Sequence, residues 1–298
     1  MSDDTAMAQP AGPQESLSGV ASPLRPFFNA MPVAAQPHVF GSTLCRAEHF
    51  LLPLFRFWLN ELQMHPSMHR KLWELVFITQ TLHELDKMQP GCRGLGFGVG
   101  QEPLSAYFAK RGVEVVATDL EITAAQQAGW ADSGQHATTA DTLFWPGIVD
   151  RAIFDQRVTF QNADMNDIPS NLREFDFCWS ACALEHTGSI DQGLAFIENS
   201  LTTLKKGGVA VHTTEFNMSS DDDTIEAGGT VLFRKQDIRV LQRLLAIRGH
   251  RMLPLNLYPG ATEIDAYVDV PPYGNDPHLR LQVASWKSTS IGLAIVKG

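Results

Sequence analysis

Residues 94–100 read Gly-Leu-Gly-Phe-Gly-Val-Gly, and residues 113–119 read Val-Glu-Val-Val-Ala-Thr-Asp. The apolar residues 92–95 predict a buried strand, and the glycines that follow predict a turn in which the backbone can bend sharply and a ligand can approach it. The apolar spacing over residues 102–111 predicts a helix, and a second strand then ends at Asp119. This order is typical of the start of a doubly wound α/β sheet that binds a nucleotide, with the acid accepting hydrogen bonds from a ribose.

The spacing of the glycines indicates which nucleotide is bound. A dinucleotide fingerprint needs a third glycine three residues after the second, and the chain has Gln101 at that position. The chain also lacks a Tyr-x-x-x-Lys pair. Both observations disfavour a nicotinamide-dependent oxidoreductase, which stays open as an alternative.

The sequence downstream continues the alternation of strands and helices. Residues 157–169 predict a third strand and a polar turn, and the apolar run at residues 175–180 predicts a central parallel strand. An amphipathic helix is expected from about residue 190 to residue 204. The turn Lys-Lys-Gly-Gly and a fifth strand at residues 209–213 follow it.

In their order and types, these motifs resemble those of the class I S-adenosylmethionine-dependent methyltransferases, over residues 90–250. The resemblance implies a Rossmann-like α/β fold: a seven-stranded, mostly parallel sheet with a C-terminal antiparallel strand and an N-terminal helical layer. It also implies S-adenosyl-L-methionine as the cofactor. The acid that this family carries two residues before the first glycine is missing, because Gly94 stands there. Glu102, or a backbone carbonyl, is expected to contact the methionine amino group instead.

The resemblance also implies which residues line the cofactor site. The glycines form the turn, Asp119 binds the ribose, and an acid and an apolar residue after the third strand face the adenine. The predicted cofactor-binding set is Gly96, Gly98, Gly100, Glu102, Asp119, Leu120, Asp164, Met165 and Ser180.

Candidate catalytic residues follow the fourth and fifth strands, because ligands of such sheets bind beyond the carboxyl ends of the strands. His186 has the intrinsic pKa of a general base near neutrality, and Glu185 is expected to assist it. Glu215 is the alternative base, and with Asn217 it could instead bind acceptor hydroxyls or a divalent ion. His212 lies within a strand and is predicted to be a core histidine. No metal is predicted, since two oxygen ligands are not a metal signature.

Composition excludes several classes of partner. The net charge of −10 argues against a surface that follows nucleic-acid phosphates. The tripeptide at residues 271–273, Pro-Pro-Tyr, lies too near the C-terminus to be a base-methylation motif. No run of apolar residues is long enough for a membrane helix, and the first residues do not look like a secretory signal. A small-molecule acceptor is therefore expected, with no nucleic-acid or membrane partner, in the cytoplasm.

The chain is expected to divide into a flexible tail (residues 1–38), a helical cap (39–89) and the methyltransferase domain (90–298). Helical spacing is expected over residues 44–62 and 67–88. A basic cluster opens the second helix and either faces the substrate opening or, as preferred, is a solvated helix start; it comprises His69, Arg70 and Lys71. Three residues after the second strand could close over the cofactor or lie on a surface loop: Trp130, Gln135 and His136.

The expected reaction is O-methylation of a small hydroxylated molecule, such as a sugar or a secondary metabolite. N-methylation of a small amine is the alternative, because an amine needs less help from a base. A non-catalytic partner subunit that keeps the fold is the remaining possibility.

Overall fold

One mixed sheet organises the protein in the computed structural model, which describes residues 40–121, 136–274 and 276–298. Its strands are β1 (Ser42–Leu44), β2 (Arg93–Phe97), β3 (Glu114–Asp119), β4 (Val158–Asn162), β5 (Phe175–Ala181), β6 (Leu204–Asn217), β7 (Arg251–Met252), β8 (Leu255–Asn256), β9 (Leu281–Val283) and β10 (Trp286–Val296). The order is β4-β3-β2-β5-β6-β10-β1-β8, and β7 and β9 also pair with β10. Strands β2 to β6 run parallel to one another, and β10 runs antiparallel to β6.

The predicted fold class is confirmed, including the antiparallel C-terminal strand, but the strand count is not. Within the described residues the sheet has ten strands rather than seven. The sixth strand expected at residues 250–257 is split into β7 and β8 around Pro254, which has no amide hydrogen to donate to a neighbouring strand. Strand β1, in a region expected to be helical, pairs with both β8 and β10.

Helices cover both faces of the sheet. They are α1 (Ala47–Phe50), α2 (Pro53–Glu61), α3 (Arg70–Glu84), α4 (Leu104–Lys110), α5 (Arg151–Arg157), α6 (Ile190–Thr202), α7 (Lys235–Ile247) and α8 (Glu263–Ala266). Helices α2 to α5 pack with Trp179 and Val211 in one apolar core, whereas α6 and α7 pack with Cys178 and Ala210 in another. Neighbouring strand residues face opposite sides of the sheet, so β5 and β6 contribute to both cores. No helix in the described ranges is both long and apolar enough to cross a bilayer.

The N-terminal helices differ from the prediction at one break. The helix expected over residues 44–62 is two helices, because Pro53 favours an extended conformation at Leu52 (φ −68°, ψ 137°) and then begins α2. Residues of α2 and α3 lie in the same apolar core as α4 and α5. The domain boundary at residue 90 stays a prediction, and the structure places both sides of it in one core. The predicted tail lies outside the described residues.

Strand β2 extends further into the glycine run than expected. Gly96 lies within β2 and pairs with Ala117 of β3 and Trp179 of β5. A Cβ at Gly96 would lie 2.5 Å from the Trp179 ring, and one at Gly94 would lie 2.4 Å from the Phe177 ring. These two glycines therefore make room for aromatic side chains of β5, and the prediction that Gly96 forms part of the turn is wrong.

Candidate active site

The turn after β2 consists of Gly98, Val99 and Gly100. Gly98 (φ 56°) and Gly100 (φ 52°) have left-handed conformations, which glycine adopts without steric cost. A Cβ at Gly98 would lie 2.8 Å from the Ala183 Cβ and 3.6 Å from the Met165 sulfur. The segments after β4 and β5 therefore converge on the glycine turn, where they leave no room for a larger residue.

Asp119, the last residue of β3, is 8% exposed and sits beside the turn. Its Oδ2 accepts hydrogen bonds from the amides of Gly100 (3.0 Å) and Ala137 (3.1 Å), and its Oδ1 accepts from the Leu120 amide (2.9 Å). The His136 Nδ1 lies 3.3 Å from Oδ1. Burial raises the pKa of Asp119, and His136 and the three amides act in the opposite direction. A carboxylate offers about four acceptor positions, and the three amides take three of them.

Glu102, directly after the turn, is tied to β5. The Trp179 indole Nε1 donates to the Glu102 Oε1 at 2.6 Å. Burial raises the pKa of Glu102 to about 8, against the opposing effect of the Trp179 hydrogen bond. Glu102 is therefore mostly protonated at neutral pH unless a cation binds beside it. Its predicted contact with a methionine amino group stays a prediction.

Beneath the ends of β5, β6 and β10 lies a group of side chains that we call the buried charge cluster. It consists of Arg70, Lys71 and Glu74 of α3, Cys182 and Glu185 after β5, and Glu215 of β6. Arg70, 1% exposed, forms ion pairs with Glu215 and with the Glu74 Oε1 (3.5 Å). The Lys71 Nζ lies 3.8 Å from the Glu74 Oε2.

The Cys182 thiol donates to the Glu74 Oε1 at 3.0 Å, which links α3 to the loop after β5. Cys182 has φ 46° and marks the point at which the chain leaves the strand. Glu185 is buried, and its Oε2 accepts a hydrogen bond from the Thr214 hydroxyl at 3.0 Å. Burial raises the pKa of Glu185 to about 7; Lys71 lowers it, and Glu215 and Glu74 raise it.

His186 follows Glu185 and is partly open to solvent, with 20% of its side chain exposed. Its Nδ1 lies 2.9 Å from the Gly229 carbonyl oxygen and 3.3 Å from the Thr230 hydroxyl. Because a carbonyl can only accept, Nδ1 carries the hydrogen and the neutral ring keeps its lone pair on Nε2. The Nε2 lies 3.8 Å from the Glu185 Oε1.

Residues 95–212 match the sequence profile of a family described as a methyltransferase domain. The matched segment runs from β2 through β6 and therefore includes the glycine turn, Asp119 and His186. Residues 95–212 therefore form the methyltransferase domain of this chain. No curated protein matches the chain.

Solved structures similar to this methyltransferase share little of its sequence. A candidate sarcosine dimethylglycine methyltransferase from Galdieria sulphuraria is 14% identical, with 82% of this chain and 98% of that chain covered and a TM-score of 0.45. A methyltransferase from Clostridium acetobutylicum has the same identity and coverage and a TM-score of 0.42. TehB from Haemophilus influenzae is 14% identical over 74% of this chain and 61% of its own, with a TM-score of 0.43.

The cofactor of the methyltransferase is S-adenosyl-L-methionine. The tight, left-handed glycine turn, the buried Asp119 and the neighbouring Met165 fit a nucleoside with a diol and a flat ring. Asp164 is exposed, and its Oδ1 accepts the Asn166 amide at 2.8 Å. The adenine contacts of Asp164 and Met165 stay predictions.

The Ser180 side chain is hydrogen-bonded within the core. The Ser200 hydroxyl donates to the Ile197 carbonyl, so it accepts from the His212 Nε2 (3.1 Å). The His212 Nδ1 must then accept from the Ser180 hydroxyl, at 2.8 Å. Ser180 and His212 are fully buried, which excludes the predicted contact of the Ser180 side chain with the cofactor. His212 is a satisfied core histidine, as predicted.

The structure also changes the roles predicted for Glu215 and Asn217. Glu215 is buried, ion-paired with Arg70, and accepts the Ser288 hydroxyl at 2.5 Å. The Asn217 Oδ1 accepts the amides of Ser219 and Ser220, so it shapes the loop after β6. The Glu215 carboxylate and the Asn217 Oδ1 already have partners in this structure, so they are not available to the hydroxyl groups of an acceptor.

Cys182, Glu185 and Glu215 place potential metal ligands within 4.8 Å of one another, but their chemistry does not favour a metal. Arg70 already neutralises Glu215. Burial raises the pKa of the Cys182 thiol well above its usual value, whereas a metal binds the thiolate. The donor set therefore fits an internal network of ion pairs better than a metal centre.

The sequence did not identify the part that α3 plays in the methyltransferase. Arg70 is fully buried, so the interpretation of residues 69–71 as a solvated helix start is wrong for this residue. The available signal is the pair Arg70 and Glu74, four residues apart on a helix whose middle is apolar. Trp130 and Gln135 lie outside the described residues, whereas His136 lies beside Asp119.

Proposed function

We propose that the methyltransferase methylates a hydroxyl group of a small acceptor, such as a sugar or a secondary metabolite, with His186 as the proton acceptor. The observation that carries the proposal is the hydrogen bond between the His186 Nδ1 and the Gly229 carbonyl. It leaves Nε2 as the basic atom of the ring on the loop that contacts the glycine turn. A hydroxyl needs such a base because it is a weak nucleophile while it keeps its proton.

S-adenosylmethionine, when bound, supplies a methyl group activated by a sulfonium. As the new O–C bond forms, the bond between the methyl group and the sulfur would break and leave the neutral thioether S-adenosylhomocysteine. The acceptor O–H bond would break as well, and its proton would pass to the His186 Nε2. The imidazolium then lies 3.8 Å from the Glu185 carboxyl, which stabilises the charge once Glu185 is ionised. Gly229 and Thr230 hold the ring in place throughout.

His186→Ala should lower turnover by roughly 10²–10⁴-fold, the usual contribution of general base catalysis. The affinity for S-adenosylhomocysteine should stay close to that of the wild type, because the glycine turn and Asp119 are unchanged. The measurement is methyl transfer to a panel of sugars, phenols and aliphatic amines, with calorimetry for the affinity. His65→Ala, an exposed histidine of the same chain, is the matched control.

Normal turnover in the His186→Ala enzyme would show that the imidazole is not the proton acceptor. Methylation of amines alone would exclude hydroxyl acceptors. Methylation of neither class, with the cofactor bound, would favour a non-catalytic role.

An amine acceptor is the second candidate, and one observation favours it. The buried charge cluster has three carboxyl groups and two fixed cations, so an ammonium group could balance it. An amine arrives protonated and would have to lose a proton to His186 before it could attack.

A further inference from the structure

The buried charge cluster has three carboxyl groups and two fixed cations, and the Lys71 ammonium that acts on Glu185 also lies beside Glu74. Arg70 pairs with Glu215 and Glu74, and Lys71 lies beside Glu74. Among the described residues, the ion-pair partner of Glu185 is His186, at 3.8 Å, which is positive only when protonated.

Glu185 is also close to the cofactor site along the chain. Ala183, two residues earlier, packs against the glycine turn at Gly98. The 3₁₀ helix Leu184–His186 therefore begins next to the glycine turn. The Glu185 side chain is buried, and in such low-dielectric surroundings a charge acts over several ångströms without direct contact.

We propose that Glu185 is the counter-charge for the sulfonium of bound S-adenosylmethionine, so that the protein distinguishes this cofactor from its neutral thioether product, S-adenosylhomocysteine. The inference rests on the methyltransferase assignment of the site and deepens it. It is independent of whether the acceptor is a hydroxyl or an amine.

The proposal predicts a pH dependence of known sign. The groups that face Glu185 are Lys71, Glu74, Glu215, Cys182 and His186, together with the Thr214 hydroxyl. With its pKa raised to about 7, Glu185 is mostly protonated below that pH and ionised above it. A nearby sulfonium favours the ionised form, so binding of S-adenosylmethionine near pH 7 releases a proton.

The comparison of the two ligands isolates this effect. Both carry the same amino and carboxyl groups, so the contribution of Glu102 cancels. The sulfonium is the charge that differs. The preference of the wild type for S-adenosylmethionine over S-adenosylhomocysteine should increase by about tenfold as the pH rises through 7, the change equivalent to one pKa unit.

The test is calorimetric titration of the full chain with each ligand, below and above pH 7, in buffers of different ionisation enthalpy. Glu185→Gln should remove the pH dependence of the preference, whereas Glu61→Gln, which removes a surface carboxylate paired with Lys110, should keep it. Lys71→Met should move the midpoint to higher pH, because the Lys71 ammonium lowers the pKa of Glu185.

Each outcome decides the proposal. Equal proton release with both ligands in the wild type overturns it, even if Glu185→Gln does not fold. Loss of the pH dependence in His186→Gln together with its retention in Glu185→Gln assigns the effect to the imidazole and also overturns it. Failure of both ligands to bind would refute the cofactor site itself. A pH-dependent preference without any hydroxyl methylation would refute the proposed function alone.

Discussion

Asp119 shows how much one side chain contributes to the cofactor site before any ligand is bound. Three backbone amides and His136 surround its carboxyl group. These donors hold the turn after β2 and the segment at residues 136–137 against the end of β3. The same carboxyl group is the one expected to bind the ribose.

Asp119→Ala should weaken S-adenosylhomocysteine binding by about tenfold to a hundredfold, because a hydrogen bond to a charged group contributes roughly 1.5–3 kcal/mol. Calorimetric titration measures the loss. Asp155→Ala, which removes a surface carboxylate on α5 paired with Arg151, should bind normally. Unchanged affinity in a folded Asp119→Ala protein would show that the ribose is held by other residues.

Single residues were predictable from the sequence where the type of residue determines its role. The motif places Asp119 at the end of its strand, and the apolar strand around His212 predicts that this residue lies in the core. The sequence does not show the direction of the Ser180 side chain, because this direction depends on the register of β5 and a shift of one residue changes the face of the sheet. The sequence predicts Gly96 in the turn, whereas β2 extends two residues beyond the predicted strand and includes it.

At the scale of elements, α3 is the helix whose role the sequence concealed. Its apolar spacing predicted a helix but did not show that the sheet buries nearly all of it. Arg70 connects this helix to β6 through Glu215 and to β10 through Ser290, whose hydroxyl accepts at 3.2 Å. Such a partner set depends on distant strands, which local periodicity cannot indicate.

Arg70→Met should lower the free energy of unfolding by about 3–5 kcal/mol, because removing one partner of a buried ion pair leaves the other charge uncompensated. Urea denaturation measures the change. Lys110→Met removes a partly exposed cation paired with Glu61 and should cost less than about 1 kcal/mol. Equal losses in the two variants would contradict the importance of the buried pair. Arg70→Met combined with Glu215→Gln should recover part of the stability.

For the whole molecule, two sets of buried groups with shifted pKa values change the free energy of unfolding in opposite directions as the pH varies. Burial lowers the pKa values of His49 and His212 from 6.5 to about 3. Burial likewise raises those of Glu185 and Glu102 from 4.5 to about 7 and about 8. As the pH falls from 6.5 to 3, the two histidines bind protons in the unfolded chain but not in the folded protein, so the free energy of unfolding falls. As the pH rises from 4.5 to 8, the folded carboxyl groups keep protons that the unfolded chain has lost, so stability falls as well.

The free energy of unfolding should therefore pass through a maximum on the acid side of neutrality. Each such group contributes a slope of up to about 1.4 kcal/mol per pH unit. Urea denaturation at a series of pH values should show a flatter acid limb for His212→Gln and a flatter alkaline limb for Glu102→Gln. His65→Gln should leave both limbs as they are. A curve unaffected by either core variant would rule out these groups as its cause.

Strand β10 has a consequence for the order in which the protein is assembled. It pairs with β6 along nine residues and with β1, so it lies between two strands that precede it in the sequence. Ser288 and Ser290 of β10 complete the hydrogen bonds of Glu215 and Glu74. A nascent chain that ends before about residue 290 already contains the residues of the glycine turn, whereas Glu74 and Glu215 still lack one or both of these partners. Such distant pairings slow folding. The charged interior of the protein therefore closes only after β10 has been synthesised.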